Sequence, residues 1–390
     1  MTSENPTCDW IPFFVPPIGD ADISGVVDTL KSGWITRGPR TQEFERTFAE
    51  SVGAEAALAL SSCTAALHLS LIVNGIGPGD EVITTTMTFC ATANVIEHVG
   101  ATPVLVDVEE DTLNIDPAAV LRAITPHTKA IIVVHYAGHP VDLDALQAIA
   151  RNHNLAFIQD AAHAFPAAFR GRRVGGDGDL TCFSFYANKN LAIGEGGMLT
   201  GPVDKVETAR RFSLHGMNTT AWNRFTKAGS WRYDVNVAGF KCNMTDIQAS
   251  IGLSQLCRVA VHQKRRAEIF KRYDRAFSNS WAVRPLRRRS EVDSSLHLYV
   301  IRLNLEYLSI DRDEFIEELK ARNVATSVHY VPIHMHSHYA NKFGFRPEDF
   351  PVALDYFNRT ISLPLFPTMT DDQIDRVAET VLAIAAEHRA

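Results

Sequence analysis

Lys189 is the residue whose surroundings most suggest chemistry. It follows an apolar run at residues 180–185, which predicts a buried strand, and it precedes a glycine-rich turn at 194–197. Lysine is rarely buried without a function, and desolvation lowers the pKa of its amine. A neutral amine is what attack on a carbonyl group requires. Considered alone, however, Lys189 fits a surface loop at least as well.

Two further positions would complete a cofactor site. Ser61 to Thr64 separate an apolar run from a predicted helix, and free N–H groups at a helix start bind anions, although an ordinary N-cap explains the same hydroxyls. Asp160 ends another predicted strand, where capping a helix is an equal alternative, and His163 follows at i+3, placed to hydrogen-bond Asp160 or to cover a cofactor. An amine, an anion cradle and a carboxylate suit a cofactor with an imine-forming carbonyl, a phosphate and a basic ring nitrogen.

Strand-like runs alternate with helical ones through the first half of the chain. This alternation predicts an open, mostly parallel sheet that is covered on both faces, an α/β fold. Ligands of such sheets gather at the carboxyl ends of the strands, so one crevice would hold Thr64, His135, Asp160 and Lys189. The predicted strands are residues 56–60, 81–85, 103–106, 130–134, 155–158 and 180–185.

The pattern predicts three regions. Residues 1–18 form a proline-rich arm, 19–256 a large domain, and 257–390 a smaller α+β domain. Around the boundary we expect an extended loop over 222–240 and two separate helices, 246–256 and 262–277. Further on we expect a strand at 297–303, a helix at 312–322, a strand at 327–330 and a last helix that opens with a capping box at Thr370.

Composition excludes several classes of protein. The 390 residues carry a net charge of −7, so no basic field favours nucleic acid. The six cysteines contain no C-x-x-C pair, which argues against zinc and disulfides and favours a reducing cytoplasm. The amino terminus has no signal-peptide pattern, and no run approaches the roughly 18 apolar residues of a membrane span. We therefore expect no metal and no membrane partner.

Taken in order, the motifs closely resemble the DegT/StrS family of pyridoxal-phosphate-dependent sugar aminotransferases, which have the fold-type I architecture. The resemblance covers nearly the whole chain and implies a large domain with a mostly parallel central sheet plus a smaller C-terminal α+β domain. The matching stretches are residues 32–39, 61–67, 88–94, 134–142, 159–164, 184–197, 215–216, 239–248, 297–299, 328–332 and 363–365.

The resemblance implies a role for each matching residue. Lys189 forms the internal aldimine with pyridoxal 5'-phosphate and moves the proton, and Asp160 pairs with the ring nitrogen. His163 approaches the ring oxygen or Asp160. The remaining cofactor contacts implied in this chain are Thr64, Ala65 and Ser184 at the phosphate, the first two through helix-start N–H groups, and Phe89 stacked on the ring.

Asn243 would reach the phosphate of the neighbouring subunit, with Lys241 as a competing donor. The family resemblance therefore implies a homodimer with shared active sites. Two residues depart from the common family pattern, Cys63 in place of glycine and Gln159 in place of an acidic residue. Related sugar dehydratases replace the lysine with histidine, so Lys189 favours transamination.

The implied reaction moves an amino group from glutamate, through the pyridoxamine form of the cofactor, to a nucleotide-linked sugar, and 2-oxoglutarate is released. The stretches 134–142 and 239–246 favour C4 of a 4-keto-6-deoxy sugar. A C3 sugar, a keto-cyclitol or a non-catalytic regulatory role are the alternatives. An NAD-dependent oxidoreductase would need a G-x-G-x-x-G motif after the first strand, which is absent. The candidate substrate contacts, each equally explained as structural, are Trp34, Arg37, Tyr136, His329 and Tyr330.

Overall fold

A seven-stranded sheet organises the first half of the protein. The computed structural model describes residues 10–217 and 232–390. The strand order is β1-β9-β8-β5-β4-β2-β3, and all neighbours are parallel except β9, which runs antiparallel to β1 and β8. The predicted α/β class is confirmed. The strands are β1 (Ala56–Leu60), β2 (Glu81–Thr85), β3 (Thr102–Val106), β4 (Thr128–Val134), β5 (Ala156–Asp160), β6 (Ala168–Phe169), β7 (Arg172–Arg173), β8 (Leu180–Ser184) and β9 (Gly197–Gly201).

Helices cover both faces of this sheet because the side chains of each strand alternate between them. On β4, Ile132 packs in one buried cluster with Leu67 of α3, whereas its neighbour Ile131 packs in another with Leu146 of α6. The helices are α1 (Asp20–Lys31), α2 (Pro39–Val52), α3 (Cys63–Val73), α4 (Cys90–His98), α5 (Pro117–Ala123), α6 (Leu143–Asn152) and α7 (Val203–Ser213).

One long helix, α8 (Asp246–Phe277), replaces the two shorter helices that the sequence predicted. A capping box of Thr245 and Gln248 starts it. Residues 257–261 contain neither glycine nor proline, so nothing in the sequence ends a helix there. The predicted boundary between residues 256 and 257 therefore falls inside a continuous helix, and the division into domains stays a prediction.

The C-terminal part has its own small sheet, in the order β10-β12-β13, of antiparallel strands β10 (Val283–Pro285), β12 (Tyr299–Leu303) and β13 (Thr360–Leu363). Residues 327–330, predicted as a strand, form only a single bridge between Ser327 and Ser362. The capping box at Thr370 is confirmed. The remaining elements are β11 (Val292–Asp293), α9 (Arg312–Ala321), α10 (Ser337–Phe343), α11 (Pro351–Arg359) and α12 (Asp371–Glu387).

The predicted loop at 222–240 and the predicted arm at 1–18 fall partly outside the described residues. Residues 222–231 of the expected loop and residues 1–9 of the arm lie outside them. Within 10–217 and 232–390, no helix combines the length and apolar character that crossing a membrane requires.

Candidate active site

A cavity of about 510 Å³ opens at the carboxyl ends of β5 and β8. Three sequence-distant segments meet there, namely the β1–α3 turn, the end of β5 and the loop after β8. Residues 329–330 of the C-terminal part supply a further wall. The lining residues are Ser62, Cys63, Thr64, Leu67, Phe89, Ala91, Asp160, Ala162, Ser184, Tyr186, Asn188, Lys189, Glu195, Gly196, His329 and Tyr330.

Lys189 projects from the loop after β8 and is partly buried. Burial lowers the pKa of its amine to about 8, although Cys63 and Asp160 oppose that shift. Within the described residues, Nζ forms neither a hydrogen bond nor an ion pair; the backbone N–H bonds Tyr186 O at 2.9 Å. The side chain is thus an amine of lowered basicity that remains available to a ligand.

Asp160, the last residue of β5, is 5% exposed. Burial raises the pKa of its carboxyl group, and hydrogen bonds oppose that rise. Thr92 Oγ1 donates to Oδ2 at 2.8 Å, the Ala162 N–H donates to Oδ1 at 3.1 Å, and Cys63 Sγ lies 3.9 Å from Oδ1. These donors favour the ionised carboxylate, the form that holds a proton on a ring nitrogen.

The start of α3 is where the sequence predicts an anion cradle. Ser62 caps the helix, and its Oγ accepts the Ala65 N–H at 3.1 Å. In this structure the Ala65 N–H is therefore used by the cap, which is the alternative to an anion site. Thr64 and Ser184 both line the cavity. Gly197 allows β9 to pass close by, because a Cβ there would lie 2.4 Å from Cys63 N.

Aromatic side chains form the opposite wall. Phe89 is 57% exposed, an unusual state for a large apolar ring that lines a cavity, and its centroid lies 5.9 Å from that of Tyr330. The Tyr330 hydroxyl contacts His163 Nε2 at 2.7 Å, so His163 pairs with Tyr330 rather than with Asp160. His329 Nδ1 lies 2.9 Å from Ser362 Oγ, and burial lowers the pKa of its imidazole to about 3.

Several predicted residues lie away from the cavity. His135 does not join the crevice: it is fully buried, and its Nε2 contacts Gln159 Oε1 at 3.0 Å. Tyr136 is also buried and donates its hydroxyl to the backbone O of His329. This bond ties the 329–330 wall to the end of β4, which places Tyr136 behind the cavity rather than in it.

The loop before α2 directs its polar groups elsewhere. Trp34 Nε1 donates to Arg37 O at 3.2 Å, and the Arg37 guanidinium bonds Glu45 at 3.3 Å. Asn243 is not among the cavity-lining residues of its own chain; its amide contacts Lys241 and donates to Met244 O at 3.1 Å. Within one chain, the structure does not bring these residues to Lys189.

Sequence reasoning missed some members of the site. Thr92 donates to Asp160, and its own hydroxyl lies 2.8 Å from that of Thr88. Both lie in the motif at 88–94, so a threonine four residues after another near a predicted strand end was the available signal. Tyr186, Asn188 and Glu195 line the cavity without any signal beyond closeness to Lys189.

The residues present fit pyridoxal phosphate. The unpaired Lys189 amine, the hydrogen-bonded Asp160 carboxylate and the hydroxyls at a helix start match its carbonyl, ring nitrogen and phosphate. The exposed Phe89 ring offers a stacking surface. No cluster of three or more His, Cys, Asp or Glu side chains in the described ranges could hold a metal ion.

Comparison with known proteins supports this assignment. Residues 16–382 match the model of the DegT/DnrJ/EryC1/StrS aminotransferase family. The spore coat polysaccharide biosynthesis protein SpsC of Bacillus subtilis is 48% identical over 95% of this chain and 96% of its own.

Solved structures agree. A putative sugar aminotransferase from Streptococcus pneumoniae in its PMP-form has a TM-score of 0.92 at 38% identity, covering 97% of this chain and 99% of that chain. PseC from Helicobacter pylori, an aminotransferase involved in the biosynthesis of pseudoaminic acid, has a TM-score of 0.90 at 30% identity, covering 97% and 100%. The chain therefore belongs to the DegT/DnrJ/EryC1/StrS aminotransferase family and is a pyridoxal-phosphate-dependent sugar aminotransferase of amino-sugar biosynthesis.

Proposed function

We propose that this aminotransferase moves the amino group of glutamate to C4 of a nucleotide-linked 4-keto-6-deoxy sugar. The observation that carries amino transfer is the unpaired, partly buried amine of Lys189 in a cavity that also holds Asp160. The C4 preference is supported by the motifs at 134–142 and 239–246, and glutamate by family resemblance.

Pyridoxal phosphate supplies an electron-accepting ring and carries the amino group between the two substrates. In each half-reaction Lys189 Nζ would take a proton from one carbon and deliver it to another, and in the second it would deliver the proton to the sugar carbon. A pKa of about 8 is well matched to this role at neutral pH. Asp160, whose ionised form is favoured by hydrogen bonds from Thr92 Oγ1 and the Ala162 N–H, would hold the proton on the ring nitrogen. Thr64 and Ser184 would hold the phosphate.

The substrate proposal is tested with glutamate and a panel of 3-keto and 4-keto nucleotide sugars, with product amines identified by mass spectrometry. We expect turnover of 4-keto-6-deoxy compounds. Turnover of only the 3-keto compounds would refute the C4 preference, and turnover of only keto-cyclitols would refute the sugar nucleotide. Lys189→Met serves as the inactive control. If no acceptor is aminated and glutamate does not react with the enzyme either, the non-catalytic regulatory alternative is favoured.

We further propose a homodimer with shared active sites. The outer face of α1 exposes three apolar side chains at helical spacing, Ile23 (56%), Val27 (39%) and Leu30 (52%). Such a stripe on a soluble chain is typical of a covered interface. A cytoplasmic location suits the cysteines, because Cys63, Cys90, Cys182, Cys242 and Cys257 are all free.

Subunit complementation tests the shared site. Lys189→Met and Asn243→Asp chains are co-expressed with different tags, and the mixed dimer is purified. If Asn243 acts across the interface, one of its two sites holds both native residues, and about half of the wild-type activity returns. Activity no higher than that of the parent variants, or a fully active monomer in sedimentation, would remove Asn243 from this role.

A further inference from the structure

Two buried histidines lie behind the Tyr330 wall of the cavity. The His163 and His297 rings are 5% and 3% exposed, with centroids 4.5 Å apart and planes tilted by 42°. His163 Nδ1 and His297 Nε2 are both buried without a hydrogen-bond partner in the described structure. Buried polar atoms are rarely left unpaired, so each needs a neighbour.

The outer contacts fix which nitrogen of His297 carries a proton. The Asn190 amide lies 2.7 Å from Ser295 O through Nδ2, and a carbonyl oxygen only accepts, so the amide orientation is settled. Asn190 Oδ1 therefore faces His297 Nδ1, at 3.2 Å, as an acceptor. His297 must then donate from Nδ1, and in the neutral ring Nε2 is left with a bare lone pair.

Both imidazoles stay neutral in this environment. Burial lowers the pKa of each well below its usual value, and the positive charge of Lys189 lowers both further. The other titratable groups that face them are His329, Arg266 and each other. Arg266 is buried and directs its guanidinium toward the carbonyl oxygens of Leu296, His297 and Leu365, at 3.4, 3.5 and 3.4 Å. Its positive charge lowers the pKa of His297 further.

Burial also raises the pKa of the Tyr330 hydroxyl, with further contributions from Tyr136, Asp160, Cys90 and Cys63, so Tyr330 keeps its proton. That proton points either to His163 Nε2 or into the cavity. If Nε2 carried the His163 proton, two neighbouring buried rings would each keep an unpaired lone pair, on His163 Nδ1 and on His297 Nε2. If His163 Nδ1 carries the proton instead, a donor on His163 faces an acceptor, the Nε2 lone pair of His297.

We propose that His297 is a positioning residue that acts through His163. His297 Nε2 accepts from His163 Nδ1–H through one ordered water, so His163 Nε2 accepts the Tyr330 hydroxyl proton. The chain of donors then runs in one direction, from Tyr330 through His163 and His297 to Asn190, the neighbour of Lys189 in sequence. The Tyr330 oxygen presents only lone pairs to the cavity and selects a ligand group that donates a hydrogen bond, such as a hydroxyl or an ammonium.

The direct test measures the His163 tautomer by NMR of the purified protein labelled with ¹⁵N-histidine, assigned with a His163→Gln variant. We expect the Nδ1–H tautomer in the wild-type protein. The Nε2–H tautomer would overturn the proposal, and this measurement needs neither bound substrate nor a folded His297 variant.

Variants separate His297 from general packing. His297→Gln keeps an acceptor near the ε position, whereas His297→Phe keeps the ring shape without nitrogen. We expect the Nδ1–H signal of His163 to persist in His297→Gln and to be lost in His297→Phe, with kcat/KM about tenfold lower in the Phe variant and within about threefold of wild type in the Gln variant. His135→Phe, at a buried histidine outside the cavity, is the matched control. An unchanged His163 tautomer in His297→Phe would overturn the role of His297.

Discussion

Two acid–base clusters of this protein, each built from a carboxylate and basic side chains, differ in how completely they are paired. Around Glu45, every strong acceptor is filled: Arg37 bonds it at 3.3 Å, Arg210 at 2.9 Å, and the Ala59 N–H at 3.0 Å. Around Asp160, by contrast, the nearby cation Lys189 makes no ion pair in the described structure and keeps a lowered pKa. In a saturated cluster, loss of one partner leaves a buried charge uncompensated, whereas an incompletely paired cluster can bind a ligand and exchange protons.

The comparison explains why Arg37 looked like a substrate contact in the sequence. An arginine in a glycine-rich loop has the same local signature whether it meets a ligand or a buried carboxylate. Glu45 lies on α2, eight residues away, and Arg210 lies on α7. Only the packing of α2 and α7 against β1 shows that Arg37 is already paired.

The largest difference between the clusters should appear on removing Lys189. In Lys189→Met we expect kcat to fall by at least about 10²-fold, because the described residues that line the cavity include no other lysine to move the proton. Borohydride should attach pyridoxal phosphate covalently to the residue-189 peptide of the wild type only, as read by peptide mass spectrometry. Lys205→Met is the control. Lys205 does not line the cavity, and its Nζ donates to Asn74 Oδ1 at 2.8 Å. Trapping at another lysine in wild type would contradict the assignment.

Removing Glu45 should instead cost stability. Glu45→Ala leaves two arginines without their buried partner, and we expect the free energy of unfolding to drop by about 3 kcal/mol. Urea denaturation of the wild type and the variant measures this drop. At temperatures where the variant is folded, borohydride trapping at Lys189 should be unchanged. Loss of trapping without loss of stability would show that this cluster belongs to the active site.

A smaller effect should follow from removing a hydrogen bond to Asp160. In Thr92→Val the carboxylate loses the donor at 2.8 Å that favours its ionised form, so its pKa rises further. The acidic limb of the activity–pH profile should then move to higher pH by about one unit. Thr84→Val is the matched control, because Thr84 bonds only Ile132 O at 2.9 Å inside the sheet. A limb that moves equally in both variants would argue against Asp160.

The smallest expected effect is on the stability of the cofactor-free protein, which Lys189→Met should increase by an amount that depends on pH. The native pKa of Lys189, about 8, lies below the unfolded value of roughly 10.4, so the unfolded state binds more protons between these values. The cost of protonating the buried amine is therefore full below pH 8 and vanishes above about pH 10.4. Lys189→Met should be about 1 kcal/mol more stable than wild type at pH 7, discounted for partial exposure, and the difference should close as pH rises. A gap that does not change with pH would contradict the shift.

Local sequence determined the alternation of strands and helices and the positions of Asp160, Thr64, Ser184 and Lys189 at their ends. These features depend on periodicity, caps and strand termini, which are short-range properties. It misjudged α8, which was predicted as two helices although residues 257–261 contain nothing that ends a helix. The antiparallel β9 was also missed, because Gly197–Gly201 has little strand character of its own and is stabilised by pairing on both sides.

Tertiary structure alone decided which polar groups remain open to a ligand. The sequence placed His135, Arg37 and Tyr136 in the candidate site beside Asp160 and Lys189, yet each of the three is satisfied inside the protein. The pairing of His163 with Tyr330 joins residues 167 positions apart. The sequence by itself determined which chemistry this protein carries, because cofactor chemistry needs particular residue types at strand ends. Only the fold decided which of those residues face the cavity, since long-range hydrogen bonds are set by packing and not by neighbours in the chain.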